Sequence, residues 1–573
     1  MTVNGTPILN LNDTHYPMDP VTGSYPLYQV TVDVQEFPVD YNYIVDYGDD
    51  DTEQEEFVRQ RSKDDPSLNE FFGRSITVKE HPLLPKAYEE FPSLKKSKLF
   101  DDTFVASIFI TCDEDEIGNL HENTESREKI AAEVIYANPY TVRTFTNATL
   151  SINGASTRSM PKVSYKIKNL KDETNNKELF GRTNIKLRAE YSDASFVREK
   201  LYGDILNSAG APTAQFTYAR LYINQEPIGL FVLSDNVESD RYLRNTYNNG
   251  IKYTQPSPLY MGSRDGDIFS DMTYYGDDPS LDEYGVYLYK GDEDITRDEF
   301  LQRDIIPLLK EIDSIKSDNS DNLKLTIDTD SFLKYMAVEF LGGGVDNFWT
   351  LPGNYYLFKE IEKNKWYFID VDFHYTFGCN WEPEAMLNTP LSDFPPLLEM
   401  DHTNKNRPLI DNLRGHPVYG KKFYEIIERL LKTSYHPNAI FPRLDSIAEL
   451  IHDDVQEDVL LKRQNKNAEE GTDYSVSIED FEKEITSEEE DGFIGGYPVR
   501  YFVNNKAKLI ANELGFEIPN EFENNLGFYE STAFVKEANE SRNNKDTSSS
   551  SHSTSREVFS IFISFFIVLI MFL

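Results

Sequence analysis

Between residues 330 and 378 the chain spaces carboxylates and an amide as phosphoryl transfer would need them. The helical run SFLKYMAVEFL ends at Gly342-Gly343-Gly344, and Asp346-Asn347 follows at once. Asn354 opens a strand-like run, NYYLFKE, and a second run, KWYFIDVD, closes on Asp370-Val371-Asp372. Side chains alternate along a strand, so Asp370 and Asp372 are expected on one face with Val371 on the other. Two carboxylates about 6–7 Å apart on a strand face can share or bracket a divalent cation. Asp346 would supply a base for an acceptor hydroxyl, and Asn354 a further oxygen ligand. Phosphoryl transfer uses that set, together with a lysine on the phosphates. A solvated strand end with capping residues has the same spacing, and spacing alone leaves both readings open.

The lysine candidate lies upstream, in NGASTRSMPKVSYKIK (Asn153 to Lys168). A small, hydroxyl-rich loop leads into a strand where Lys162, Ser164, Lys166 and Lys168 share one face. Val163, Tyr165 and Ile167 take the other. Loop amides and a strand lysine can grip a triphosphate, although a merely solvated basic face reads the same way.

Positioning these groups takes two kinds of element. Residues 1–95 are turn-rich and mostly β, with a strand expected around Tyr28 to Val34 and an acidic loop at Tyr47 to Glu56. From Phe104 the strand signals strengthen: FVASIFITC is a buried run, and VSYKIK and NIKLRAEY alternate with period two. A helix is expected from about Ser195 to Ala209, and the strands TYARLYIN and IGLFVLSD flank a turn at Gln225. After about residue 290 the chain is mainly helical, interrupted by the strand pair at Asn354 to Asp372. Ala468 to Asp491 reads as an acidic, solvated insertion. The expected class is α+β: a β-rich lobe at about 96–290 and a helical lobe at about 291–525, which holds the hairpin.

Several of these segments together resemble the CotH family, the spore coat protein H kinases. The resemblance runs from about Leu99 to Gly378. It includes LFDDT, GASTRSMPKVSYKIK, LRAEYSDASFVREKL, YINQEPIGLFVLSDNVE, LYKG, VDNFW, NYYLF and WYFIDVDFHYTFG. It implies a divergent protein-kinase-like, two-lobed fold that uses ATP with Mg2+ or Mn2+ to phosphorylate serine on protein substrates. By position, Asp346 would be the catalytic base, and Lys162 would contact ATP phosphates with Ser156 and Arg158 nearby. Asn354 would bind the nucleotide or metal, and Asp370 and Asp372 the metal. Asp193 and Arg198 match an Asp-x-Ser-x-x-Arg stretch for which a structural role is at least as fitting. The chain departs from the family at Asp235, where Glu is frequent, and at Phe368-Ile369, where Pro-Trp is frequent. A shortened acid at 235 would weaken a lysine–acid pair.

The layout is also similar to the GPI-anchored members of the family on Mucorales fungi, among them invasins that bind a host-cell chaperone receptor. Met261 to Asp278 resembles their recognition segment at Met261, Gly262, Asp265, Gly266, Asp271, Thr273 and Tyr275, and departs from it elsewhere. A variable surface insertion is the alternative there. The resemblance thus carries two expectations: a cell-surface kinase of secreted or wall proteins, or an adhesin that uses the kinase fold as a scaffold.

Composition limits the remaining classes. The chain has 573 residues, with 57 basic against 98 acidic ones, a net charge of −41. So negative a chain repels phosphate backbones, which argues against nucleic acid as a partner. Aromatic residues make up 13% of the chain, enough large rings to build a core despite the charge. Two cysteines, Cys112 and Cys379, allow at most one disulfide and exclude a cysteine-rich zinc site. Residues 526–557 form a polar, serine-rich linker, and Val558 to Leu573 is an uncharged apolar run. That order matches a GPI-anchor signal, with Ser548, Ser549 and Ser550 as attachment candidates; a tail-anchor helix is the alternative. Met1 to Asn10 lacks the features of a signal peptide, so an incomplete start is expected. Sequons at Asn4, Asn12, Asn147 and Asn539 fit a secreted history but occur by chance at about this frequency.

Overall fold

The computed structural model describes residues 5–22, 26–49, 51–317, 320–398, 405–530 and 561–564. The attachment candidates Ser548, Ser549 and Ser550, the sequons at Asn4 and Asn539, and most of the apolar terminus lie outside them. Asn12 and Asn147 are both exposed, the first in a turn and the second at a bulge. Among the described residues no helix is long and apolar enough to cross a membrane.

The N-terminal region is a five-stranded antiparallel sheet. Its strands are β1 (Thr6–Leu11), β2 (Thr14–Pro17), β3 (Val39–Gly48), β4 (Asp51–Gln54) and β5 (Arg59–Arg61), with β3 pairing β1, β4 and β5. It buries a core of its own, including Leu9, Tyr43, Val45 and Phe72. The strand expected at Tyr28 to Val34 is shorter, Leu27–Val30, and pairs outside this sheet.

Seven strands then close into a barrel: β6 (Val105–Cys112), β7 (Ile130–Asn138), β8 (Thr141–Asn153), β9 (Ser164–Lys168), β10 (Ile185–Arg188), β11 (Phe216–Ile223) and β12 (Glu226–Asp235). The order around the barrel is β8-β9-β10-β12-β11-β6-β7, and only the β6–β11 pair is parallel. Ile108, Tyr136, Leu150, Tyr165, Ile167, Leu187 and Leu233 fill the interior. The alternation that turns Tyr165, Ile167, Ile185 and Leu187 inward turns Lys166, Lys168, Lys186 and Arg188 outward.

Helix α1 (Arg198–Ser208) packs on the outside of the barrel and is buried along its whole length. A four-stranded sheet carries the hairpin seen in the sequence: β13 (Leu259–Gly262), β14 (Tyr287–Tyr289), β15 (Tyr355–Glu360) and β16 (Lys365–Asp370), in the order β14-β13-β15-β16. Helix α2 (Thr329–Gly342) leads into the hairpin and ends at Gly343, whose φ of 62° is the left-handed cap that glycine favours. A Cβ there would stand 2.4 Å from the Phe502 ring. The long helix α3 (Pro437–Asp458) lies against the barrel, followed by α4 (Ile478–Thr486) and α5 (Val499–Leu514).

The acidic stretch at Ala468 to Asp491 is not simply solvated. Within it α4 buries Phe481, Glu484 and Ile485, and Glu484 Oε2 lies 2.5 Å from Arg198 Nη2. A charge-rich composition hid an amphipathic helix whose buried acid has a cationic partner. Cys112 and Cys379 are both free thiols.

Candidate active site

The turn after α2 carries the first acidic group. Glu339, fully buried near the end of α2, accepts hydrogen bonds through Oε1 from the amides of Trp349 (2.6 Å) and Thr350 (3.3 Å). Its carbonyl accepts the Gly344 N–H at 3.0 Å. The segment that bears Asp346 is therefore held at both ends by one residue. Asn354, at a left-handed φ of 52°, donates its side-chain amide to the Asp346 carbonyl (2.8 Å) and to Asp346 Oδ2 (2.9 Å). In this arrangement Asn354 orients Asp346. Burial, followed by repulsion from Asp372, pushes the Asp346 carboxyl up to about 6.

Strand β16 ends at Asp370, so the expected sharing of a strand face with Asp372 does not occur. Asp372 lies beyond the strand with a φ of 72°, which turns the backbone out of the alternation. Asp370 is fully buried; its Oδ1 accepts Asn347 Nδ2 and the Val371 N–H, each at 3.1 Å. Asp370 Oδ2, Asn347 Oδ1 and Glu339 Oε2 are buried without a hydrogen-bond partner. Burial pushes Asp370 up to about 8, and burial with the Asp370 charge holds Glu339 well above its ordinary value. Asp372 is opposite in character. Burial opposes its charge, but Arg188 and His374 hold it well below the usual carboxylate range. Its Oδ1 pairs with Arg188 Nη2 and lies 2.6 Å from His374 Nδ1.

The outward face of β9 and β10 supplies the positive side of the cleft. Lys166 Nζ lies 2.7 Å from Glu238 Oε2, and Glu238 Oε1 accepts the Tyr356 hydroxyl of the hairpin sheet at 3.2 Å. Lys186, next in register to Lys166, feels the charges of Glu238, Lys166, Arg188 and Asp372, and burial lowers it to about 8. Arg188 completes the row and reaches Asp372 directly.

Two residues expected on phosphates are committed elsewhere. Arg158 is 2% exposed and gives its guanidinium to the carbonyls of Gly154 (2.8 Å), Ile152 (2.7 Å), Ser126 (2.9 Å) and Thr124, so it braces the loop. Lys162 precedes β9 and is buried under α3, with Nζ 2.5 Å from the Leu230 carbonyl and 2.7 Å from Asp458 Oδ1 of that helix. Burial lowers it to about 8 against the pull of Asp458. Its stem still lines a small cleft with Thr157, Ser164, Arg188, Glu190 and His374. Ser156 opens the single turn Ser156–Ser159 beside them. Asp235 pairs with Arg182 at 2.5 Å, and no lysine is involved. Asp193 and Arg198 form a buried ion pair at 2.5 Å, and Arg198 also binds Glu484, a bracing role.

The proposed recognition segment lies beside the same cleft. A short hairpin, Arg264–Asp265 with Ile268–Phe269, puts Arg264 Nη1 3.7 Å from Asp346 Oδ1. Asp265, Gly266 and Tyr275 are exposed, Met261 and Thr273 are half-buried, and Gly262, Phe269, Asp271 and Met272 are buried. A Cβ on Gly262 would meet the Tyr355 ring at 2.3 Å, and Tyr355 donates its hydroxyl to the Ser270 carbonyl at 2.6 Å. Gly262 and the stretch Phe269 to Met272 are therefore structural, which a surface loop read from the sequence did not predict.

Among the described residues no group of three or more His, Cys, Asp or Glu side chains is arranged to hold a metal ion. The unsatisfied oxygens of Asp370 and Asn347 nevertheless are of the kind that a hard cation satisfies, and nucleotide phosphates would add the remaining oxygen ligands. The donor set suits Mg2+ on that basis.

The sequence reading missed Arg188, Glu199 and Glu339. Glu339 stands at i+7 from Phe332 on the stripe that also holds Tyr335 and Met336, so an acid on an apolar helix face was the available signal. Rhizopus delemar Invasin CotH3 is 25% identical over 79% of this chain and 74% of its own length. Invasin CotH2 and Spore coat protein homolog 1 of the same organism are 24% and 25% identical, over 79% and 78% of this chain and 75% and 70% of theirs. The family described as CotH kinase protein matches residues 150–488, which span the outward barrel face, the hairpin sheet and α3, and the chain belongs to that family.

Proposed function

We propose that the cleft between the barrel face and the hairpin sheet binds Mg·ATP and passes the terminal phosphoryl group to serine on secreted or wall proteins. The observation that carries this reading is the meeting of two unlike sets of groups. Asp346, Asn347, Asn354 and Asp370 stand on the sheet side, and Lys166, Lys186 and Arg188 on the barrel side. Asp346 accepts the acceptor's proton, and Asn354 fixes the orientation of its carboxylate. Asp370, Asn347 and Asp372 would hold the cation, and Lys166 and Lys186 would face the phosphates. When bound, magnesium offsets phosphate charge and polarises the transferred group. The whole adopts a kinase-like, two-lobed arrangement in this reading, with the barrel as the first lobe. The test is nucleotide titration with Mg2+ and with chelator, beside transfer to a serine-rich protein acceptor. Asp346→Asn should keep nucleotide binding and lose transfer, and Asp370→Asn and Asp372→Asn should weaken the Mg2+-dependent part. Parent-like transfer by all three variants rejects the assignment.

A second reading rests on the relatives named invasin and on the exposure of Asp265, Gly266 and Tyr275. The protein would then be a GPI-anchored surface adhesin that presents Met261 to Asp278 to a host-cell chaperone receptor. Its test must leave the buried residues of the segment intact. Asp265→Ala with Asp267→Ala should reduce whole-cell adhesion without changing nucleotide binding, and undiminished adhesion rejects the loop.

A further inference from the structure

Arg188 has an unusual set of neighbours. It ends β10 on the outward face of the barrel, with its side chain 16% exposed. On one side Nε pairs with Glu199 Oε2 in the first turn of α1 and lies 3.5 Å from Glu190 Oε1. On the other side Nη2 pairs with Asp372 Oδ1 and lies 3.2 Å from His374 Nδ1. Glu190, at a left-handed φ of 50°, and Glu199 are both buried. One guanidinium thus serves three carboxylates that come from the barrel rim, a helix and the hairpin sheet. Only a planar fork with donors on two edges can reach acids on opposite sides at once; an ammonium is a single point of charge.

Resting on the nucleotide reading above, we propose that Arg188 is the positioning residue of the cleft. It fixes Asp372 towards the cation and phosphates and ties that position to helix α1 through Glu199. A strand cation paired with a helix acid does the same work in protein kinases, where the pair must be in place for transfer. Here neither Lys162, held by Asp458, nor Asp235, held by Arg182, is available for it.

The experiment measures Mg2+-dependent binding of a fluorescent ATP analogue to the full chain, with thermal unfolding of each variant in parallel. Arg188→Ala should weaken binding about tenfold or more, the scale of a lost charge-assisted contact, and millimolar guanidinium should restore part of it. Glu199→Gln should weaken binding less, because Asp372 keeps its partner. Arg188→Lys should fall between the parent and Arg188→Ala. A folded Arg188→Ala chain with parent affinity, or a loss that guanidinium leaves unchanged, overturns the proposal. If Arg188→Ala fails to fold, Arg188→Lys decides, and parent affinity in that variant overturns the need for a fork. No nucleotide binding by the parent overturns the ATP reading and the proposal together, which is a different result from parent binding that Arg188 does not influence.

Discussion

Two buried clusters of charge lie on the barrel's outer surface, and they are built differently. Where α3 meets the barrel, cations and acids are matched. Asp454 lies 2.9 Å from Arg74 and 2.7 Å from Arg220. Asp458 lies 2.7 Å from Lys162 and 3.0 Å from Arg463, and Arg443 lies 2.8 Å from Asp204. In the cleft, Glu339 and Asp370 make no ion pair among the described residues, and each keeps an oxygen with no hydrogen-bond partner. Leaving a buried polar group without a partner costs roughly 1–3 kcal/mol, a cost that a bound cation would offset in the cleft. Unmet charge, more than charge itself, separates the working face from the joint.

The largest expected effect is at the joint. Asp458→Asn leaves Lys162 buried without its counter-charge and should cost about 3–5 kcal/mol in denaturant unfolding. Adding Lys162→Met should recover most of it. If Asp458→Asn melts like the parent, the joint is not held by this pair and the contrast fails.

The cleft should respond with the opposite sign. Folded Asp370, pushed up to about 8, takes up a proton that the unfolded carboxyl, with a value of about 4, lacks at neutral pH. Without added cation, parent stability therefore falls as pH rises between those two values, as more protons are bound in the folded state. Asp370→Asn removes that dependence and should raise stability at pH 7 by about 1 kcal/mol or more, while Mg2+-dependent nucleotide binding is weakened. Unfolding curves at pH 5 and pH 8 check it; equal slopes for both chains would place Asp370 among satisfied groups.

A smaller effect concerns Asp346. A base must be deprotonated to accept the acceptor proton, so transfer should rise with pH through about 6. The smallest follows from Arg264, half-exposed and 3.7 Å from that carboxylate. Its charge favours the ionised base, so Arg264→Gln should move the acidic limb of the profile upward, by less than one pH unit for an exposed pair. A limb that does not move would show that the short hairpin and the base act separately.

The parts legible in the sequence were those marked by local pattern. The break after α2 and the two aromatic strands located Asp346, Asn354 and Asp370, because glycines and alternation are local signals. The left-handed turn that removes Asp372 from the strand face has no such mark, since no glycine stands there. Alternation in β9 gave the outward face of Lys166 and Lys168 correctly, yet Lys162 lies two residues before that strand and is captured by an acid 296 residues away. Barrel closure was not legible: β7 and β8 are paired across a short turn, but the register that joins β8 to β9 and β6 to β11 is set by packing of the interior rings. Glu199 was passed over for a related reason. An acid in the first turn of a helix usually serves the helix dipole in solvent, whereas here that turn faces a buried arginine.

Closure of the barrel also decides how the molecule meets its own copies. Seven strands joined in a ring leave no free row of backbone donors and acceptors, so the largest β element cannot template strand addition. The four-stranded hairpin sheet is guarded at both margins: β14 is only three residues long, and β16 is covered where the Asp328 amide binds the Trp366 carbonyl at 2.8 Å. At high local density the barrel and the hairpin sheet should therefore resist edge-to-edge pairing, with the chain's net charge of −41 adding repulsion between neighbours.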